Sequence, residues 1–232
     1  CAYMAEGNEN VMELRRWFRQ TKAHNTMVLG KTAEHEETGA ENINKAAGTL
    51  LLSKDENEYQ LIVTENQGYA NFNVKRPQEF FVLVDEGFGT ATGYAKLYFH
   101  LCDEKSVDNV LLDKEVFGAH TTFNGDNNLL VRTFGETNKN LIFKEFDGRI
   151  SYQTDRKYEQ RKSYAVVMRK PDNSPVRYIT VLYPVRSATG HTIKGQFKET
   201  GNKDNVSINI KIDGHPYDLN YNLNEQPIYK VR

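Results

Sequence analysis

Cysteine and long apolar runs are scarce in this 232-residue sequence, and each scarcity argues against a class of protein. Only two cysteines occur, Cys1 and Cys102, so we expect no disulfide framework and favour a free, buried Cys102 within a strand. No run approaches the ~20 apolar residues that span a bilayer, so no membrane span is expected. The first ten residues also lack a signal-peptide pattern, which fits either a cytosolic protein or a mature or excised piece.

The common catalytic and cofactor motifs are also missing. The sequence contains no GxxxxGKS/T, GxGxxG, HExxH, GxSxG or CxxC, which argues against most phosphate-cradling, zincin, hydrolase and redox functions. The six histidines include no close pair at ligand spacing, so a self-contained metal site is not expected. A formal net charge of -1 and the lack of an RNA-binding signature argue against nucleic acid as a partner.

What the chain does contain is aromatic and β-branched segments separated by turn residues. It has 13 Tyr and 12 Phe, and no long helical pattern. Strands are predicted at Thr26–Leu29, Leu50–Leu52, Tyr59–Thr64, Phe80–Asp85, Ala95–Leu101, Leu129–Phe134, Ser163–Met168 and Tyr178–Val185. Few linkers suit parallel crossovers, so we predict an all-β fold, an antiparallel β-sandwich of stacked sheets, with residues 1–232 forming a single domain.

Three dipeptides carry hairpin turn signals, because both central residues of a type I′ turn need positive φ. They are Asn124-Gly125, Asp147-Gly148 and Asp213-Gly214. The last is the clearest, since apolar residues alternate with polar ones from 206 to 212 before it and from 217 to 223 after it. The polar stretch from Asp103 to Glu115 is predicted to be a long loop.

The segment from Arg15 to Thr26, RRWFRQTKAHNT, is the most concentrated group of chemically active side chains. Its four cations lie within eight residues of a nearly neutral chain, and such a cluster creates a local field for a carboxylate, sulfate or phosphate; they are Arg15, Arg16, Arg19 and Lys22. Trp17, the only tryptophan, either stacks on a ring-shaped ligand or fills a core pocket, and we favour the pocket.

His24 and Asn25 lie where this segment enters the first predicted strand. Functional residues are often carried on loops that a rigid sheet supports. From the residues alone, a structural histidine bonded to a loop carbonyl is the favoured interpretation of His24. A second basic and aromatic stretch, Arg156–Tyr164, is interpreted as a solvated strand edge, with ligand binding as the alternative.

RRWFRQTKAHNT, together with the residues from Tyr3 that precede it, resembles the start of the C-terminal domain of heparinase II/III-type polysaccharide lyases. The similarity is greatest to the heparin-sulfate lyase (heparinase III) branch from Bacteroides-like bacteria. Four further stretches resemble strands of the same family: IVTENQGYANF at 62–72, FFVLVDEGFGTATG at 80–93, FNGDNNLLV at 123–131 and VRYITVLYPV at 176–185. The resemblance covers most of the chain.

The resemblance implies the second half of a two-part bacterial enzyme, periplasmic or secreted, that degrades glycosaminoglycans. An N-terminal helical toroid, absent here, would supply the catalytic Tyr and Asn and form the substrate cleft together with this β-sandwich. The isolated domain would be inactive. Some relatives hold a divalent metal through the histidine that matches His24, but the other ligands would lie outside this chain, so no cofactor is expected here.

The chemistry of such a lyase gives each candidate residue a role. Elimination beside a uronic acid removes the proton α to a carboxylate, which becomes easier when the carboxylate charge is neutralised. His24 is the catalytic candidate, because an unperturbed imidazole pKa of about 6.5 makes both protonation states accessible near neutrality. Asn25, Arg19, Arg16 and Tyr3 are the substrate-binding candidates, the arginines being suited to sulfate or carboxylate.

Two non-enzymatic functions remain open at this stage. A carbohydrate-binding module would expose a groove lined by aromatic side chains. A scaffold domain that only stabilises a helical partner would expose a large apolar patch.

Overall fold

The computed structural model describes residues 13, 17–18, 20–29, 48–55, 60–66, 70–76, 80–87, 92–101, 108–124, 127–136, 140–151, 158–172, 174–198 and 205–222. Within these ranges the chain forms fifteen strands. They are β1 (Met27–Leu29), β2 (Gly48–Asp55), β3 (Gln60–Asn66), β4 (Ala70–Arg76), β5 (Phe80–Gly87), β6 (Gly93–His100), β7 (Val110–Asp113), β8 (Gly118–Thr121), β9 (Asn128–Gly135), β10 (Leu141–Ser151), β11 (Tyr158–Lys170), β12 (Val176–Val185), β13 (Ile193–Lys198), β14 (Asn205–Ile212) and β15 (His215–Asn222). Short 3₁₀ turns lie at Thr21–Ala23 and Lys114–Val116.

The strands form three sheets. The large sheet has eight strands in the order β2-β3-β4-β5-β12-β9-β8-β7, the four-stranded sheet has the order β1-β6-β11-β10, and the three-stranded sheet has the order β13-β14-β15. Every pairing described between these strands is antiparallel. The prediction of an all-β fold with stacked antiparallel sheets is therefore confirmed.

The large sheet lies between the two smaller ones, and this arrangement creates two cores. One core joins β5 and β12 of the large sheet to the inward face of β14, where Val206, Ile208, Ile210 and Ile212 are buried. The other joins β8, β9 and β12 to β6 and β11 of the four-stranded sheet through residues such as Leu97, Val166 and Tyr178. Since both faces of β12 are covered, four successive residues of this strand, Tyr178–Val181, are buried instead of every second one.

The clearest hairpin prediction is confirmed. β14 and β15 pair across a two-residue turn at Asp213 and Gly214, which have φ angles of 49° and 90°. Both values lie in the left-handed region that a type I′ turn requires. The predicted strands at 80–85, 129–134 and 178–185 lie within β5, β9 and β12, and the other predicted strands also fall on observed ones where the structure describes them.

Three sequence-based predictions are wrong. Asp147 and Gly148 lie inside β10 and form no turn there. The stretch predicted as a loop from Asp103 to Glu115 contains β7, whose Val110 is buried. The described part of the stretch Arg156–Tyr164, residues 158–164, is not a solvated edge, because β11 lies between β6 and β10 and its Arg161 is only 5% exposed.

The error at Gly148 has a steric cause. A Cβ atom at this position would lie 1.8 Å from the Ser163 hydroxyl oxygen on the neighbouring strand. The glycine therefore lets the Ser163 side chain approach the β10 backbone closely and does not form a turn. Asp-Gly is a turn signal only where both residues need positive φ, and Gly148 has no such need.

Several predictions lie outside the described residues, among them those for Cys102 and for Gly125 of the Asn-Gly pair. No helix in the described part of the chain is both long and apolar enough to cross a membrane.

Candidate functional site

The segment that precedes β1 folds back against the end of β6. The Ala23 amide donates to the Gln20 carbonyl at 3.0 Å and closes a 3₁₀ turn over Thr21–Ala23. The Tyr98 amide then donates to the Thr26 carbonyl at 2.9 Å, which joins the segment to the four-stranded sheet just before β1 begins. The chain between these two bonds, containing His24 and Asn25, therefore emerges from a fixed sheet edge.

His24 is exposed on this edge, and one of its ring nitrogens has a defined role. Its Nε2–H donates to the Phe18 carbonyl at 3.1 Å. Because a carbonyl oxygen can only accept, Nε2 must carry the proton, and in the neutral ring the lone pair lies on Nδ1. The ring is thus oriented by the backbone, presents a basic nitrogen, and is not sealed in the apolar interior.

Asn25, also exposed, is oriented by a long-range bond. Its side-chain oxygen accepts a hydrogen bond from the backbone amide of His100 at 2.6 Å. Since that amide is only a donor, the oxygen of Asn25 must face it, and the side-chain NH₂ group is directed elsewhere. Asn25 therefore offers two N–H donors beside the His24 ring.

His100, at the end of β6, connects this segment to the sheet. Its Nε2–H donates to the Lys22 carbonyl at 2.7 Å, so its Nδ1 accepts from the Ser163 hydroxyl at 3.0 Å. Burial lowers the pKa of His100 below its usual value, although the Lys22 carbonyl acts in the opposite direction, and the charge of His24 lowers that pKa further. The lowered pKa favours the neutral form of the His100 ring. The Ser163 side chain is fully buried and is not placed to act as a nucleophile.

Trp17 packs against this group of residues. Its ring contacts His100 edge-on with centroids 6.0 Å apart and Phe18 with centroids 5.0 Å apart. The Arg149 guanidinium carbon lies 5.8 Å from the Trp17 ring centre, and Arg149 also approaches Glu13 at 3.5 Å. This geometry favours the packing interpretation of Trp17 over stacking on a ligand.

The structure brings together only some of the predicted site residues. His24 and Asn25 lie side by side, whereas Tyr3, Arg16 and Arg19, like Arg15, fall outside the described residues. His100 and Ser163 were not predicted, because only the pairing of β6 with β1 and β11 places them beside the segment. A histidine at the end of a predicted strand was the one available signal, and it also fits simple packing.

The described residues do not form a metal site on their own. No group of three His, Cys, Asp or Glu side chains within the described ranges is close enough to hold an ion. His100, which is bonded to the same segment, has both ring nitrogens engaged by Lys22 and Ser163. Among the described residues, His24 is the one imidazole at this site with a ring nitrogen left to bind a metal, and one ligand is too few to hold an ion.

Replacing His100 with phenylalanine tests whether this ring fixes the segment. The variant keeps an aromatic ring against Trp17 but removes the hydrogen bonds that the His100 ring makes with the Lys22 carbonyl and the Ser163 hydroxyl, at a cost of about 1–3 kcal/mol. We expect faster hydrogen exchange at the amides of Ala23 and Tyr98. His215→Phe, on the exposed start of β15, is the control and should leave that exchange unchanged. Unaltered exchange in His100→Phe would show that other contacts hold the segment.

Comparison with known protein families assigns this three-sheet antiparallel fold. The profile described as "Heparinase II/III-like, C-terminal" matches residues 2–215. The chain belongs to this family.

Individual relatives agree with that assignment. The chain is 40% identical over 230 residues to a heparin-sulfate lyase of Bacteroides thetaiotaomicron, covering 96% of this chain and 31% of the relative. It is 28% identical over 229 residues to a heparin-sulfate lyase of Bacteroides stercoris, covering 96% and 32%. A solved heparinase III structure superposes with a TM-score of 0.81 and 35% identity, covering 96% of this chain and 32% of that one. The chain thus spans about a third of the length of these relatives.

Proposed function

We propose that this chain is the C-terminal domain of a lyase that cleaves heparan sulfate or heparin by β-elimination, and that it supplies one wall of the substrate cleft. The observation that carries the proposal is the exposed His24–Asn25 pair, oriented by hydrogen bonds to Phe18 and His100, in a chain 40% identical to a heparin-sulfate lyase. The substrate is an acidic polysaccharide of uronic acid and amino sugar.

The geometry of the pair suits the acid–base chemistry of elimination. Removing the proton α to a uronate carboxylate builds negative charge on that carboxylate, so donors placed beside it lower the barrier. The side-chain NH₂ of Asn25 is free of the His100 amide and can donate to the carboxylate. His24 presents Nδ1 for proton transfer, while the Phe18 carbonyl keeps its ring from rotating.

The remaining machinery lies outside the described residues. Arg16, Arg19 and Tyr3 are proposed to contact sulfate or carboxylate groups of the polysaccharide, since guanidinium groups bind such oxyanions in a bidentate manner. The other wall of the cleft is proposed to come from a helical domain of the same polypeptide, so the 232-residue piece alone should be inactive. We further propose a periplasmic or secreted location in a bacterium, where such polysaccharides are accessible.

Product analysis on the full-length protein tests the proposal. Incubation with heparan sulfate should yield products with an unsaturated uronate at the non-reducing end, which absorb in the ultraviolet, and residues 1–232 alone should yield none. Binding without new reducing ends would instead favour a non-catalytic carbohydrate-binding domain. Neither binding nor cleavage of the polysaccharide would leave only a scaffold function.

A further inference from the structure

A second cluster of charged groups lies at one end of the three-stranded sheet. The loop before β13 and the turn between β14 and β15 enclose an open cavity of about 410 Å³. It is lined by Gly190, Thr192, Lys194, Lys211, Asp213 and Gly214. The three-stranded sheet covers the face of the large sheet opposite to the four-stranded sheet, so this cavity and the His24 segment belong to opposite outer layers.

Two lysines face each other across this cavity. Lys194 of β13 and Lys211 of β14 are direct partners in the antiparallel register, and both are exposed. Like charges placed directly opposite on a sheet destabilise it, so such a pair is unfavourable without an anion. The same polar face carries a contrasting lysine, because Lys198 at the other end of β13 is neutralised by Asp218 at 2.6 Å.

The one carboxylate at the cavity is already engaged. One oxygen of Asp213 accepts from Nδ1 of His191 at 2.7 Å, and the other accepts from the Thr192 amide at 2.8 Å. These two hydrogen bonds, that from His191 being the larger cause, hold the pKa of Asp213 below its usual value. Within the described residues, neither Lys194 nor Lys211 lies within ion-pair distance of a carboxylate.

The rim of the cavity is a fixed structure. Asp213 joins the two loops through its side chain, and its own amide donates to the Thr192 carbonyl at 2.9 Å. Gly190 and Gly214 have φ angles of 86° and 90°, and a Cβ at either position would meet no atom within 4 Å. The glycines thus shape the loops and leave the space between the lysines open.

We propose that Lys194 and Lys211 bind a sulfate or carboxylate group of an acidic polysaccharide, forming an attachment site separate from the His24 segment. The inference rests on the proposed function for the identity of the polymer. The chemistry is that of a point-charge anion site, because two lysines on paired strands line one cavity whose carboxylate, Asp213, is bonded to His191 and Thr192. In the next row of the same face, Gln196 offers an amide group for sugar hydroxyls, whereas the amide nitrogen of its partner Asn209 donates to Asp218 at 2.8 Å.

This site would help the protein to bind long polysaccharide chains and would take no part in the chemical step. A polymer held at Lys194 and Lys211 keeps its remaining length near the protein, which raises the effective concentration of cleavable units. A tetrasaccharide bound beside His24 is too short to reach the opposite outer layer, so its cleavage gains nothing from the lysines. The double variant Lys194→Ser/Lys211→Ser should therefore raise KM for polymeric heparan sulfate while leaving kcat, and the cleavage of a tetrasaccharide, unchanged.

The test uses the full-length protein, with Lys198→Ser as the matched control on the same strand and face. In the double variant we expect KM for the polymer to rise roughly fivefold to tenfold, as two exposed charge contacts allow. In the control, loss of a lysine already paired with Asp218 should change KM by less than about twofold. Affinity for a heparan sulfate octasaccharide, measured in a His24→Ala background, should fall in the double variant. Affinity for the de-sulfated, carboxyl-reduced octasaccharide should be unchanged in the double variant and in the control.

The outcomes separate this site from the proposed function. Absence of unsaturated product from the parent protein would reject the lyase activity, yet the octasaccharide affinities would still report on the lysines. An octasaccharide affinity that is the same with and without the two lysines would overturn the attachment site. An equal loss in Lys198→Ser would also overturn it, since the effect would then reflect overall charge.

Discussion

Replacing His24 with alanine in the full-length protein is expected to lower kcat/KM on heparan sulfate by roughly 10²–10⁴-fold, the range that general acid–base groups contribute. The loss should appear mainly in kcat, because the His24 ring is proposed to act on the reacting proton and not to hold the bulk of the polymer. Folding should be intact, since the ring is exposed and makes one described hydrogen bond, to the Phe18 carbonyl. Steady-state formation of unsaturated product measures the effect.

His215→Ala is the matched control for that substitution. This histidine is equally exposed but begins β15 of the three-stranded sheet, in the outer layer opposite to the His24 segment. Its removal should change kcat/KM by less than about twofold. If His24→Ala turned over at the rate of the unmodified protein, the ring would be structural, and the hydrogen bond to the Phe18 carbonyl would be its whole function.

Replacing Arg177 with leucine is expected to cost about 3–5 kcal/mol in the free energy of unfolding at pH 8, because it leaves a buried carboxylate without its partner. Arg177 Nε lies 2.5 Å from Oε1 of Glu86, which is 0% exposed, and the two residues are register partners in β12 and β5. Burial raises the pKa of Glu86 to about 7, against the attraction of Arg177, and the nearby charge of Glu136 raises that pKa further.

The raised pKa of Glu86 determines how the cost of removing Arg177 changes with pH. A folded-state pKa of about 7 exceeds the usual value of 4.5, so Glu86 contributes stability below about pH 4.5 that is lost as the pH rises through 7. At pH 5 Glu86 is already largely protonated when folded, and removing Arg177 strands no charge. Urea unfolding should therefore show a much smaller loss at pH 5 than at pH 8.

Two further variants define the controls for Arg177. Arg169→Leu, at an exposed position of β11, should change the free energy of unfolding by no more than about 0.5 kcal/mol. Adding Glu86→Gln to Arg177→Leu should recover part of the loss at pH 8, since no buried charge then remains. A loss of equal size at pH 5 and pH 8 would contradict the proposed cause.

The strands could be predicted from sequence where one signal dominated. The turn at Asp213-Gly214 combined strict alternation on both sides with a dipeptide that tolerates positive φ, and both features act within a few residues. β5 and β12 were predicted from short runs of β-branched and aromatic residues bounded by turn residues, a pattern that is also local. The order of the sheets follows from long-range pairing and has no local signal.

The errors occurred where packing across strands determined the residue. Gly148 is fixed by the close approach of Ser163, and the burial of Arg161 follows from the central position of β11 in its sheet. Neither neighbour is adjacent in sequence. β7 was missed because Val110–Asp113 is short and lies within a polar stretch.

The site was predicted in part for the same reason. His24 and Asn25 were identified from the residues around them and from the family resemblance, and the structure places both on an exposed edge. The orientation of Asn25 could not be predicted, since it depends on His100, 75 positions further along the chain. Sequence patterns report what is near along the chain, whereas the clamp on this segment depends on how β1 and β6 pair.

Histidine ring NMR spectra of the full-length protein, recorded during titration with a heparan sulfate tetrasaccharide, test most directly whether His24 meets the sugar. The His24 resonance, assigned by its absence in His24→Ala, should shift in proportion to the bound fraction, and should do so equally in the Lys194→Ser/Lys211→Ser background. A His24 resonance that does not move at saturating tetrasaccharide would contradict the placement of this imidazole in the cleft.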